Sequence, residues 1–343
     1  MRAISVISNS ILGLKNSFLR EVDGSRIKPV ELVFEVTDAC NSRCRHCSIW
    51  KKVPAKNILS AKEIEIALKD KLFRNLKTVL ITGGEPTVRQ DLEAVVLAIS
   101  RAVPKAKIFL STNGLLPERI TRIVDSVAVD SKVNLGVGVS LDGIGEKHDA
   151  VRGVKGCYER VDNLLRKLLA YREYVDLELA IGFVLSDLTI ENFEEVQSYA
   201  REMNVNLVVQ WLDENIYYGN IGLGLNQRKL LEEVKTLPDT LHRQYWLRHL
   251  KGEPIRFSCF AMCTFFLLRC NGDVAPCLRY ADLCAGNIRQ MSPSEIWRSQ
   301  PAKEARQVVK NCAGCLNNWG TWVSFQSAYF PILFFHLRNK LAS

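Results

Sequence analysis

The chain has 343 residues, 47% hydrophobic residues and a formal net charge of +9. This composition is typical of a folded protein with one large and one smaller domain, and it excludes a disordered or low-complexity chain. No run of 18 apolar residues occurs, so we expect no transmembrane helix. The basic residues are scattered along the chain, which favours an ordinary solvated surface over a nucleic-acid-binding patch.

The cysteine content is high and odd in number, with 11 cysteines in the chain. Disulfide frameworks usually pair an even number of cysteines in a small secreted domain. The first 22 residues lack the small-residue cleavage site of a secretory signal peptide. We therefore predict a cytoplasmic protein with reduced thiols.

Residues 1–30 are predicted to form an amphipathic segment. Apolar residues at spacings of 3, 4, 3 and 4, which share one helix face, are Ile4, Ile7, Ile11, Leu14 and Phe18. The favoured interpretation is that this face, together with an aromatic and basic tail at 321–343, covers the folded core. The alternative is association with an anionic membrane surface, where the protein would act on a lipid-linked substrate.

Residues 31–215 alternate between apolar β-rich runs and amphipathic helical stretches. The strand candidates are 31–37, 77–82, 107–112, 132–140, 176–184 and 205–211. Six strand–helix units in succession predict a parallel sheet, either an open doubly wound sheet or an incomplete (β/α) barrel. In both arrangements the chemistry collects at the carboxyl ends of the strands.

The notable motifs of this region all follow predicted strands. The first strand is followed by three cysteines, Cys40, Cys44 and Cys47, in the spacing C-x3-C-x2-C. The next strands are followed by GGEP, TNG and SLDG. A structural zinc site needs four ligands, so three thiols alone suggest an iron–sulfur cluster with one iron left open. Together the motifs predict one shared site at this edge of the sheet.

After residue 215 the alternation of strand and helix patterns ends. We predict a helical linker at 216–254, broken at Pro238, and then a cysteine-rich domain at 255–320. Within that domain the pair Asn271-Gly272 indicates a tight hairpin.

The cysteine triplet and the motifs after it resemble those of the radical S-adenosylmethionine (radical SAM) enzymes. The resemblance implies an α/β fold with a partial (β/α)6 TIM-like barrel, and a 4Fe-4S cluster on Cys40, Cys44 and Cys47 that binds S-adenosylmethionine. Such enzymes cleave this cofactor reductively to a 5′-deoxyadenosyl radical, which takes hydrogen from a peptide, carbohydrate or other metabolite. The cofactor contacts that the resemblance implies are His46, Gly83, Gly84, Glu85, Ser140, Arg152 and Leu212. The sequence assigns no catalytic acid or base.

The C-terminal cysteines resemble the opening of the SPASM domain, which holds auxiliary iron–sulfur clusters. No cysteine follows Cys315, so the shortened twitch variant with one auxiliary 4Fe-4S cluster is the better match. The ligands implied by this resemblance are Cys259, Cys277, Cys312 and Cys315. Cys263 is an alternative to Cys259, and Cys270 and Cys284 remain as extra thiols.

Two other interpretations use the same cysteines. The C-terminal set has the composition of a zinc ribbon, and the whole chain could be a zinc-binding, non-enzymatic protein that binds nucleic acid through its positive charge. That interpretation accounts for neither GGEP nor the six parallel strands, so we expect no nucleic-acid partner. The radical SAM resemblance implies instead a low-potential electron donor, such as flavodoxin or ferredoxin.

Overall fold

A computed structural model describes residues 2–128, 133–221, 227–237, 240–253, 258–312, 315–316, 324 and 327. Side chains are described within these ranges except at 2–11, 128 and 227–229. All 11 cysteines fall in the described part of the chain, and none of them forms a disulfide.

The predicted alternation of strands and helices is confirmed. The core strands are β1 (Glu31–Thr37), β2 (Thr78–Gly83), β3 (Lys107–Thr112), β4 (Leu135–Ser140), β5 (Leu177–Leu185) and β6 (Asn206–Trp211). The helices up to β6 are α1 (Arg2–Asp23), α2 (Ala61–Leu68), α3 (Leu92–Ala102), α4 (Pro117–Ala128), α5 (Glu146–Arg152), α6 (Cys157–Tyr171) and α7 (Phe193–Glu202). After β6 follow α8 (Gln227–Thr236), α9 (Leu241–Leu250), β7 (Phe265–Leu268), β8 (Asp273–Ala275), β9 (Gly286–Asn287), α10 (Pro293–Arg298) and α11 (Gln300–Lys310).

Local signals in the sequence explain where several helices begin and end. Ser60 caps α2, because its hydroxyl accepts from the Glu63 amide at 3.3 Å while the Glu63 carboxylate accepts from the Ser60 amide at 2.8 Å. The expected break near Pro238 falls between α8 and α9, although Pro238 itself lies outside the described residues.

The six core strands are parallel and stand in sequence order, which gives the predicted α/β fold with a partial barrel. Within the described residues the sheet continues beyond β1, in the order β6-β5-β4-β3-β2-β1-β7-β8-β9. β7 pairs parallel with β1, with Glu31 opposite Phe265. The Asn271-Gly272 turn joins β7 to the antiparallel β8, as predicted, and Gly272 has a φ of +95° that favours glycine. The cysteine-rich segment therefore extends the sheet of the barrel.

The two faces of the sheet differ in side-chain size. The outer face packs large apolar residues such as Leu32 and Phe34 against the helices. On the inner face of β4, Gly136 and Gly138 lie under the ring of Phe109, and a Cβ at either glycine would approach that ring to 2.5 or 2.8 Å. The two glycines therefore make room for the Phe109 ring on the inner face of the sheet.

The position of α1 corrects one expectation. Leu14 is 47% exposed and Phe18 is 67% exposed, so the predicted apolar face does not cover the core at these positions. The helix instead packs through its opposite side, where Gly13 is buried and Arg20 Nε donates to the Cys259 carbonyl at 2.8 Å. The tail at 321–343, expected to help cover the core, lies outside the described residues apart from 324 and 327.

No described helix is both long enough and apolar enough to cross a bilayer.

Candidate active site

A cavity of about 1430 Å³ occupies the inside of the barrel. The thiols that line it are those of both predicted cluster-binding sets: Cys40, Cys44, Cys47, Cys259, Cys277, Cys312 and Cys315. The predicted cofactor contacts also line it: His46, Gly83, Gly84, Glu85, Ser140, Arg152 and Leu212. The fold thus brings every residue of the predicted site to one cavity.

The first cysteine loop is held by backbone hydrogen bonds at both ends. The Arg43 amide donates to the Arg152 carbonyl at the end of α5, at 2.9 Å. The Ser48 amide donates to the Tyr218 carbonyl at 2.7 Å, in the loop that follows β6. The loop is therefore fixed by two segments that lie more than 100 residues away in sequence.

The glycines of GGEP have a structural role in addition to the cofactor contact predicted for them. They let this loop approach the cysteine loop: the Gly84 amide donates to the Thr37 carbonyl and the Glu85 amide to the Ala39 carbonyl, both at 2.8 Å. A Cβ at Gly83 would lie 2.0 Å from the Thr37 oxygen, and one at Gly84 would lie 2.2 Å from the Ala39 oxygen. Both glycines also line the cavity, and the cofactor contact predicted for them stays a prediction.

Glu85 is buried and strongly hydrogen bonded. One carboxylate oxygen accepts from the hydroxyls of Thr87 (2.6 Å) and Thr112 (2.7 Å), and the other accepts from the Asn113 amide (2.7 Å). Burial raises the pKa of Glu85, while these donors oppose the shift. Thr112 and Asn113 line the cavity as expected, and the structure adds that they fix the orientation of Glu85.

Arg152 forms a buried ion pair that the sequence did not reveal. Its Nη2 lies 2.7 Å from Asp142 Oδ2, and its Nη1 lies 3.8 Å from Cys44 Sγ. Burial by itself would raise the pKa of Asp142, but the Arg152 guanidinium holds it below the usual value. The Asp142–Arg152 pair therefore places a positive charge beside the first cysteine set. In the sequence, this ion pair is indicated by Asp142 of the SLDG motif, which follows β4.

Two histidines lie near this pair in different roles. His46 lines the cavity, and its Nδ1 has no hydrogen-bond partner within the described residues. Burial lowers the pKa of His46 to about 4, so its ring is neutral at physiological pH. His148 Nδ1 accepts from the Asp142 amide at 3.0 Å and does not line the cavity, which indicates a structural role.

The first cysteine set suits a cluster with one open iron. Burial raises the pKa of Cys40 to about 11, with smaller contributions from Glu85, Cys44 and Cys47. Iron would supply the positive charge that converts such thiols to thiolates. Among the described residues no three His, Cys, Asp or Glu side chains are grouped around a single metal-ion position.

The second cysteine set lies at the β7 side of the cavity. Cys259 and Cys277 pack against Phe265, and burial raises the pKa of Cys277 to about 12. Cys263 packs instead against Ile27 and Phe260 and does not line the cavity, which favours Cys259 over Cys263 as a ligand.

The two extra thiols lie apart from this set. Cys270 and Cys284 do not line the cavity, and Cys284 is exposed.

Comparison with known proteins matches two family models. A model described as the radical SAM superfamily matches residues 34–214, and the SPASM model, described as an iron–sulfur cluster-binding domain, matches residues 259–316. The first covers more than half of the chain.

Individual relatives match at modest identity. The chain is 29% identical over 229 residues to Fe-coproporphyrin III synthase of Methanosarcina barkeri, a match that covers 66% of this chain and 54% of that protein. It is 25% identical over 309 residues to GTP 3′,8-cyclase of Aliarcobacter butzleri, covering 84% and 90% of the two chains. The chain thus spans about half the length of the first relative.

The fold is also similar to that of Streptococcus suis SuiB bound to the precursor peptide SuiA. The TM-score is 0.66 at 21% identity, covering 85% of this chain and 70% of that chain. This likeness supports the arrangement of a partial barrel followed by a cysteine-rich domain.

Proposed function

The chain belongs to the radical SAM superfamily, and on this premise we propose that it removes a hydrogen atom from a peptide, carbohydrate or other metabolite. Its cofactors are S-adenosylmethionine and iron–sulfur clusters, one in the barrel and one in the SPASM region. When bound, they supply a 5′-deoxyadenosyl radical by reductive cleavage of the sulfonium. Membership also makes the zinc-binding, non-enzymatic alternative the weaker one.

The residues around the cavity are proposed to hold these groups. Cys40, Cys44 and Cys47 would carry the first cluster, with Arg152 keeping positive charge beside it. The predicted contacts to S-adenosylmethionine remain those named above, with one refinement at Arg152. Its guanidinium is already paired with Asp142, so the cofactor carboxylate would share it.

The observation that carries the proposal is that both thiol sets line one cavity. A substrate bound between them would be shielded from water and within reach of both ends. Cys259, Cys277, Cys312 and Cys315 form a complete set of four, so a cluster on them would supply an electron acceptor rather than a binding position. The net reaction would then be a two-electron oxidation, with flavodoxin or ferredoxin as the donor for cofactor cleavage.

The test measures 5′-deoxyadenosine release by the anaerobically reconstituted protein with a strong reductant. The wild type should release it without substrate, because the cofactor cleavage does not require one, and Cys44→Ala should not. Cys284→Ala is the matched control, since this thiol is exposed and outside the cavity. Equal release by Cys44→Ala and wild type would refute the proposal.

Peripheral contact with a membrane is a second proposal, supported by α1. Leu14, Phe18 and Val22 are spaced four apart and are 47%, 67% and 64% exposed. Lys15 is also exposed beside them, and the first 20 residues contain no acidic residue. An exposed apolar stripe with a lysine beside it fits the interface of an anionic bilayer, with the acidic Glu21 and Asp23 confined to the Val22 end of the stripe.

Co-sedimentation with anionic and neutral vesicles at low and high salt tests this contact. Wild type should pellet with anionic vesicles at low salt, and Phe18→Glu should reduce the pelleted fraction several-fold. Ile66→Glu is the control, because Ile66 is 62% exposed on α2 and lies outside this stripe. The membrane contact is ruled out if wild type stays in the supernatant.

A further inference from the structure

The floor of the cavity contains a carboxylate that the proposed chemistry does not use. Glu31 is the first residue of β1, is only 8% exposed, and lines the cavity with its side chain. Within the described residues it forms no side-chain hydrogen bond or ion pair. Burial raises the pKa of Glu31 to about 8.

The strand register shows what surrounds this carboxylate. Glu31 lies opposite Thr78 on β2 and Phe265 on β7, and Thr78 lies opposite Lys107 on β3. Lys107 is the nearest cation in this register, but it is paired with Glu178 on β5. The side chains above this level on the same face are the apolar Val33, Leu80, Phe109 and Leu267.

A buried carboxylate in apolar surroundings is unfavourable unless a cation or several donors approach it. The described residues supply neither, and the Glu31 side chain lines the space that the substrate would occupy. We propose that Glu31 binds an ammonium group of the substrate, so that the substrate is an amine. This inference rests on the proposed function, because it assumes that the cavity holds a substrate.

The length of β1 sets where the amine would lie. Six steps separate Glu31 from Thr37, just before the cysteine loop, and at about 3.3 Å per step they span roughly 20 Å. The ammonium group is therefore well separated from the carbon that loses hydrogen. Phe265 packs against Cys259 and Cys277, so Glu31 holds this group at the end of the cavity near the second thiol set.

Binding of small probes tests this inference without turnover. Hexylammonium, 1-hexanol and hexanoate have the same chain length and differ in head-group charge. Calorimetry on the anaerobically reconstituted full chain with S-adenosylmethionine should give wild type at least a tenfold preference for hexylammonium over hexanol. Glu31→Gln should abolish this preference, and Glu31→Asp should keep part of it. Glu195→Gln is the control and should keep the preference, because Glu195 is paired with Lys147 and does not line the cavity.

Three outcomes would overturn the inference. They are no preference for hexylammonium in wild type, a preference for hexanoate, and an unchanged preference in Glu31→Gln. Iron content and 5′-deoxyadenosine release of each variant, measured in parallel, report on folding and on the proposed function separately. A wild type that prefers hexylammonium but releases no 5′-deoxyadenosine would refute the proposed function and leave the ammonium site standing.

Discussion

Arg152 pairs with the buried Asp142 and is also proposed to bind S-adenosylmethionine. Its contribution to stability can be measured separately from its contribution to cofactor binding. Its removal by Arg152→Met leaves Asp142 buried without its cation, so we expect the free energy of unfolding at pH 7 to fall by about 3–5 kcal/mol. Urea denaturation followed by circular dichroism measures this change. Affinity for S-adenosylmethionine should also fall, and calorimetry reports it independently.

The pH dependence of that loss follows from the lowered pKa of Asp142. A carboxyl group with a lowered folded-state pKa stabilises the protein above its unfolded pKa, and this stabilisation disappears as the pH falls through the folded value. In Arg152→Met burial is no longer opposed by the guanidinium and raises the pKa of Asp142, so the difference in stability between wild type and variant should narrow as the pH falls from neutrality through about 4. A difference that stays constant down to pH 2 would mean that the pair is not the cause. The double variant Asp142→Asn/Arg152→Met should recover part of the lost stability.

Glu31 gives the opposite pH dependence. Because its pKa is raised to about 8, wild type should lose stability as the pH rises from the unfolded value near 4.5 through 8. Glu31→Gln should equal wild type in stability at pH 4.5 and exceed it by about 1–3 kcal/mol at pH 9. Thermal unfolding at the two pH values measures this, and a destabilised Glu31→Gln at pH 9 would argue for a hidden partner.

At the residue scale, the sequence predicted which residues line one cavity, but it did not show which atoms each of them contacts. The residues of the cysteine triplet and of GGEP line one cavity, as expected, because the carboxyl ends of parallel strands converge. The sequence could not show that Gly84 contacts the Ala39 backbone or that the Thr112 hydroxyl donates to Glu85. These contacts depend on distances between loops that are distant in sequence.

Among the elements, the loop carrying GGEP and the cysteine loop behave as one unit. Gly84→Ala would drive a Cβ to 2.2 Å from the Ala39 oxygen, a separation that the two loops can only relieve by moving apart. We expect the variant to lose most of the iron bound by the first cysteine set and to keep that of the second. Iron analysis and absorbance after anaerobic reconstitution measure this loss.

Gly145→Ala is the matched control for that variant. A Cβ at Gly145 meets no atom within 4 Å, so its effect is limited to the backbone strain of a φ of +59°. It should retain the iron content of wild type. Full iron retention by Gly84→Ala would show that the two loops are not coupled.

Predictions of individual elements succeeded where the signal was local. β3 matches its predicted bounds, and the capping box at Ser60 and Glu63 marks the start of α2. The pairing of β7 with β1 was missed, because about 230 residues separate the partners and periodicity carries no information about pairing. The orientation of α1 was wrong for the same reason: amphipathicity identifies an apolar face but not what that face contacts.

For the molecule as a whole, the two thiol sets should bind iron independently. We predict about eight irons per chain if each set carries a four-iron cluster. Changing Cys40, Cys44 and Cys47 together to Ala should leave about half of the iron, because the second set is formed by other elements. Complete loss of iron from a folded triple variant would contradict independent binding.

Because β7 pairs with β1, the length of β1 determines the distance between the two thiol sets. β1 leads into the first cysteine loop at its carboxyl end, and at its amino end it is paired with the hairpin strand that packs on the second thiol set. The separation between the two thiol sets is thus set by the number of residues in β1. Two residues inserted into β1 would lengthen the strand by about 7 Å, and the same side chains would still face the cavity. A single residue inserted into β1 after Val33 would turn Glu31 and Val33 away from the cavity. The side chains that now face the helices would then point into the cavity.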